Sequence, residues 1–377
     1  MVWRVLLFAI SMPLAGASIA DLKALAVQLQ AQRSHPPGWR GESPLLTKFK
    51  HELRDWVESS MSGDLPDPVQ FATALKLALK EAGLLCAEGT CRADNNLGLI
   101  GSLDISSPTQ DHRWLEVVTS VGIVCECDQS VYLYERLDGR WSRRLESEQN
   151  GYGKRHYRPQ WVKGELSPPD SAGQRLFLTV GFNPACWSVW QEGYFRLFRI
   201  GPRIVTLLDW EQSMLNIGED VNQKVRADEV LLEFGSTGIE AGFSRRHVLH
   251  FRVDGDRVIR VEPLALQPVD FVDEWLSQKW ASIAEWTDPK LSKMHEALRR
   301  VGVDEYKFAQ PCVSRPAEWQ VGVDFKRVGD VYFLIQVGGD YRYRMLDVSP
   351  RRQSGCPGEG AIDPEKQSSL FPAAKSR

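Results

Sequence analysis

The chain has no run of apolar residues approaching the ~20 needed to carry an α-helix across a bilayer, so no membrane span is expected. It also lacks the short motifs that mark common chemistries. Gly-x-Ser-x-Gly, which would place a serine on a strained strand-to-helix turn, does not occur. His51-Glu52 and His295-Glu296 each lack the second histidine that would complete a His-Glu-x-x-His zinc helix. No Walker loop is present, and Gly151-Tyr152-Gly153 lacks the third glycine and the preceding strand of a dinucleotide cradle. No cofactor is therefore expected. Charge of one sign is missing too: 46 basic against 49 acidic residues give a net charge of −3, which excludes a globally nucleic-acid-binding surface.

What the chain does have begins at its first residues. Arg4, an apolar run from Val5 to Ile10, and small residues at Ala15, Gly16, Ala17 and Ala20 make up a secretory signal peptide over residues 1–20, cleaved near Ala17 or Ala20. The mature protein is thus expected to be periplasmic or extracellular. That location lets cysteines pair. Seven are present, at positions 86, 91, 125, 127, 186, 312 and 356, and an odd number leaves at least one thiol over. Cys86 and Cys91 flank a short turn and form one candidate pair. Cys312 with Cys356 would close the last strand-rich segment, and Cys186 would take Cys125 or Cys127. Cys125-Glu126-Cys127 has no second ligand pair at zinc spacing, so no metal site is expected there.

Residues 21–96 read as a helical segment packed on a β domain. Asp21 caps a helix bearing Leu22, Leu25 and Leu29; Ser43-Pro44 opens a second with Leu46, Phe49, Leu53, Trp56 and Val57 at helical spacing. Asp67 as N-cap, Pro68 at the first helical position and Gly83 at the far end frame the third. Their apolar face could alternatively serve oligomerisation. From about Leu97 the period changes to two. Residues 97–267 show three successive blocks of strands broken by Asp138-Gly139, Gly201-Pro202 and Asp254-Gly255 turns. The expected fold is mainly β: antiparallel meander repeats, propeller-like or a two-sheet sandwich, with three recognisable strands per block. Residues 268–302 form two inserted helices, one starting at Asp270 with a Val272, Trp275, Leu276, Trp280, Ile283 stripe, the other at Asp288-Pro289 with Leu291, Met294 and Leu298. Residues 303–349 make a C-terminal β meander, and 350–377 a flexible tail.

Candidate binding residues come from aromatic enrichment, with 13 tryptophans in the chain. Between Arg136 and Lys163 eight basic residues, Arg155 among them, meet three acids, interleaved with Trp141, Tyr152, His156, Tyr157 and Trp161, a pattern that can hold anionic polymers or stack on sugar rings. Trp187 and Trp190 are a second aromatic platform. His247 and His250, three apart on a strand, fall on opposite faces and cannot share a metal. Asp270, Asp273 and Glu274, joined by Asp220 and Glu240 from loops, are the carboxylates a glycan hydrolase could assemble. At a helix start they more simply offset the dipole. The reading that follows is an exported, non-catalytic protein binding an envelope polysaccharide or a protein, without nucleic acid; the alternative is an exported hydrolase acting on glycans.

Overall fold

The computed structural model describes residues 17–31, 44–61, 67–86, 97–123, 127–148, 160–182, 190–215, 221–237 and 244–356. Residues 1–16, where most of the expected signal peptide falls, Cys91, Cys125, Cys186 and residues from 357, where most of the expected flexible tail falls, lie outside these ranges. The fold is mainly β, with four four-stranded sheets that each run in chain order. They are β1 (Ile100–Ser106) to β4 (Arg140–Ser147), β5 (Gln160–Leu166) to β8 (Ile204–Leu215), β9 (Asn222–Val225) to β12 (Arg257–Arg260), and β13 (Val303–Cys312) to β16 (Tyr343–Ser349). Each of the three expected blocks therefore carries four strands rather than three, and the C-terminal meander forms a four-stranded sheet as well. In each sheet the strand that the sequence pattern misses is the first. β9 shows why: at four residues with the burial pattern exposed-buried-exposed-buried, it gives a window too short for periodicity to register.

Two compact units divide the chain, residues 1–164 with 179–187, and residues 165–178 with 188–377. In the first unit, α1 (Ile19–Ala31), α2 (Pro44–Ser60) and α3 (Pro68–Glu81) share one core with β1, β2 (Trp114–Gly122) and β3 (Cys127–Leu137). The apolar residues expected on each helix are those that bury: Leu22, Leu25 and Leu29; Leu46, Phe49, Leu53, Trp56 and Val57; Phe71, Leu75 and Leu79. Asp67 accepts from the Val69 amide at 2.8 Å, and Gly83 takes the left-handed conformation at φ 70°. Helix α1 begins before Asp21. Ser18 is the residue at its mouth, with its hydroxyl accepting from the Asp21 amide (3.2 Å) and donating to the Asp21 carboxylate (2.5 Å). Gly98 lies so close to α1 that a side chain there would meet Leu29 Cβ at 2.8 Å.

In the second unit, α4 (Pro268–Ser277), α5 (Trp280–Ile283) and α6 (Ser292–Leu298) pack on the last sheet. The first expected helix is thus two, and it starts at Pro268, with Asp270 inside the first turn and 4% exposed. Trp275 is fully buried; its indole donates to Thr287 Oγ1 at 3.0 Å, and His295 packs edge-on against it with ring centroids 4.5 Å apart. His295, not Met294, faces this core: the imidazole is wholly buried and Met294 is 41% exposed. A disulfide joins Cys312 to Cys356, closing the last sheet as expected. Cys127 is a buried free thiol, so the Cys127 option for Cys186 is not taken up.

Candidate functional site

The densest polar constellation among the described residues lies where α2 crosses β3 and β4. Lys50, Arg54 and Glu58 recur at four-residue spacing on α2, with His51 beside them, so they rise along one side of the helix. On β3, Asp128, Tyr132 and Tyr134 are even-numbered and share a strand face; Tyr132 lies opposite Glu146 and Tyr134 opposite Arg143. The two sets interlock. Lys50 and Asp128, both wholly buried, pair at 3.3 Å. His51 Nε2 lies 3.1 Å from Glu148 Oε2, and Tyr132 donates its phenol to the other oxygen of the same carboxylate. Arg54 reaches Glu146 at 3.1 Å and Asp55 at 2.8 Å. Arg143 reaches Glu58 at 2.9 Å and Glu146 at 3.5 Å, while Tyr134 donates to Glu58 at 3.0 Å. Burial pushes both phenols up, with Glu148 and Glu58 adding to it, so Tyr132 and Tyr134 stay neutral donors at every physiological pH.

Beside this lattice the surface opens. A cleft of about 330 Å³ is lined by Glu58, Met61, Tyr134, Arg140, Trp141 and Arg143. A second, of about 240 Å³, is lined by Asp67, Ser107, His112, Trp114, Arg136 and Trp141 among others. Trp141 borders both. It packs on the helix-sheet core, and its indole N–H is shielded from water with no acceptor among the described residues.

Of the aromatic residues singled out from sequence, Trp141 is placed at a cleft. Trp161 and Trp190 fall on β5 and β7 (Trp190–Ile200), and Trp187, Arg155 and Tyr157 lie outside the described residues. Within the described part of the expected basic patch, Arg143 pairs with Glu58 and Glu146 and Arg144 with Glu135 at 2.7 Å, while Arg136, Arg140 and Arg143 line the clefts. His247 stacks on Phe234 at 4.8 Å while His250 bonds Glu229 at 2.6 Å, in keeping with separate environments. The helix carboxylates do not gather at a cleft. Asp273 accepts from Tyr306 at 2.8 Å, Glu274 pairs with Arg260 at 2.8 Å, and Asp270 is buried; Asp220 and Glu240 lie outside the described residues.

Sequence reasoning missed Lys50, His51, Arg54, Glu58 and Tyr132. One signal was there: Lys50 interrupts the apolar positions 46, 49, 53 and 57 at a core-facing spot, and a lysine in a core requires a buried anion.

No helix among the described residues is long and apolar enough to cross a membrane. No protein family and no curated protein matches the chain. Among solved structures, a BT0996 RGII complex aligns with 70% of this sequence and 90% of its own at 9% identity, with a TM-score of 0.22, too low to carry an argument about fold or function.

Proposed function

We propose that this is an exported, non-catalytic binding protein whose ligand is an envelope polysaccharide, held at the paired clefts around Trp141. The observation that carries the reading is the indole shared by both clefts, flanked by Glu58 and Arg143 on one side and by Asp67 and Arg136 on the other. Sugar rings present an apolar C–H face to an aromatic plane and hydroxyls to charged side chains at its edge, and this lining offers both. The disulfide between Cys312 and Cys356 suits an oxidising compartment outside the cytosol, in line with the signal-peptide reading of residues 1–20.

A glycan array probed with the mature protein and with Trp141→Ala tests the reading. The wild type should retain a defined class of polysaccharide, and the variant should lose at least about tenfold in affinity, which is the ~1.4 kcal/mol of a modest stacking contact. An array on which the wild type binds nothing, or on which both proteins bind alike, overturns it.

A further inference from the structure

We propose that His51, Glu146 and Glu148 form a binding site for a divalent transition-metal cation, zinc being the best match to the donor set. One nitrogen and one oxygen from each carboxylate lie within 4.8 Å of one another, and among the described residues no other histidine, cysteine and carboxylate group meets that condition. The 3.1 Å between His51 Nε2 and Glu148 Oε2 is a hydrogen-bond length, but it is also close to the ligand-to-ligand edge of ~3.4 Å that tetrahedral zinc with ~2.1 Å bonds requires. A cation can therefore replace the shared proton with little movement of either side chain.

A second shell is already present. Tyr132 is buried to 1% exposure and donates to Glu148, and Glu148 itself has only 2% of its side chain exposed, so its carboxylate is held in one orientation before any ion arrives. His51, at 40% exposure, leaves a route in from solvent and room for a water to complete the coordination. The competitors for Glu146 are Arg54 and Arg143, at 3.1 and 3.5 Å. Each has another carboxylate in hand, Asp55 at 2.8 Å for Arg54 and Glu58 at 2.9 Å for Arg143, so neither guanidinium is stranded when Glu146 turns to a metal. The ion would clasp α2 to β4 and its flank, since His51 belongs to the helix, Glu146 to the strand and Glu148 directly follows it. Lys50 stays with Asp128 and takes no part.

This inference stands apart from the glycan reading, because it does not use Trp141. The test is zinc titration of tag-free, chelator-stripped mature protein in competition with a chromophoric chelator, alongside the thermal unfolding midpoint with and without zinc. We expect one equivalent per chain and a raised midpoint. His51→Ala should weaken zinc binding by at least about tenfold, and Tyr132→Phe by about tenfold through the loosened Glu148, the usual toll of losing an outer-shell partner. His51 is 40% exposed, so the variant is expected to fold, with far-ultraviolet circular dichroism as the check; Lys76→Ala, whose partner is Asp104 and none of these residues, serves as the unchanged control. Absence of binding by the wild type, or unaltered binding in folded His51→Ala, overturns the proposal.

Discussion

The two helix-covered sheets solve one packing problem in different ways. In the first unit, α2 adds ions to the apolar core it shares with the sheet: a fully buried Lys50–Asp128 pair, then His51, Arg54 and Glu58 meshed with Glu148, Glu146 and Arg143. In the second, α4 meets the last sheet through rings: Trp275 against Phe333 at 5.8 Å and Phe271 stacked on Tyr343 at 5.1 Å, with His295 of α6 against Trp275 at 4.5 Å. An apolar interface is stabilised by area removed from water and tolerates small shifts; an ionic one depends on each partner being present. The polar lattice is the costlier of the two to assemble and the more specific once formed. It is also the one that lies beside open clefts, where a ligand can use the side chains it has oriented.

Breaking the Lys50–Asp128 pair should have the largest effect. Lys50→Met alone is expected to lose about 3–5 kcal/mol by removing the cation beside a buried carboxylate, while Lys50→Met with Asp128→Leu should recover most of that, as urea unfolding of the single and double variants would show. If the single and double variants unfold alike, the ionic interface is no more demanding than the aromatic one. Truncating Trp275 to Ala makes the matching breach in the second unit, also about 3–5 kcal/mol, but with no second substitution able to rescue it through charge.

The next contrast is in pH. Desolvation lowers the pKa of His295 below its ordinary 6.5, so the native state resists a proton that the unfolded chain accepts. Stability from this site is complete above pH 6.5 and drains away as the pH falls from there towards the native value. Urea midpoints between pH 7.5 and 5 should decline less in His295→Gln than in the wild type; an equal decline would assign the acid sensitivity elsewhere.

The smallest effect concerns helix starts. Asp67 caps α3 through the Val69 amide, whereas Gln267 makes no side-chain cap for α4, although each precedes a proline at the first turn. Asp67→Ala should cost about 1 kcal/mol, and Gln267→Asp should add a few tenths to about 1 kcal/mol, both visible as shifts in the thermal midpoint.

Helices whose apolar stripe and caps agree were legible residue by residue: α3, from Asp67 to Gly83, needed nothing beyond its own sequence. Strands were legible where an alternating run met a two-residue turn, as at Asp138-Gly139, where β3 and β4 join. The first strand of each sheet was not. β5 is followed by a long connection before the next strand begins at Arg175, β9 is only four residues long, and β13 is irregular, with its register against β14 (Arg315–Phe325) slipping at three places. A period-two signal cannot survive such slips. The site was the least legible part, because Lys50, Asp128 and Glu148 are far apart in the sequence and acquire meaning only when a helix is laid across two strands. Trp141 could be chosen from composition and its turn; its company could not.

One consequence follows from the first turn of α1. Ser18 and Asp21 close that turn reciprocally, so on the proposal that residues 1–20 are an export signal the scissile bond would decide whether the mature helix keeps its own start. A cut after Ala17 delivers a polypeptide whose new amino terminus is the serine that satisfies the Asp21 amide, whereas a cut after Ala20 discards that serine along with Ile19 and Ala20 of the helix. Edman degradation of secreted material should accordingly read Ser-Ile-Ala-Asp.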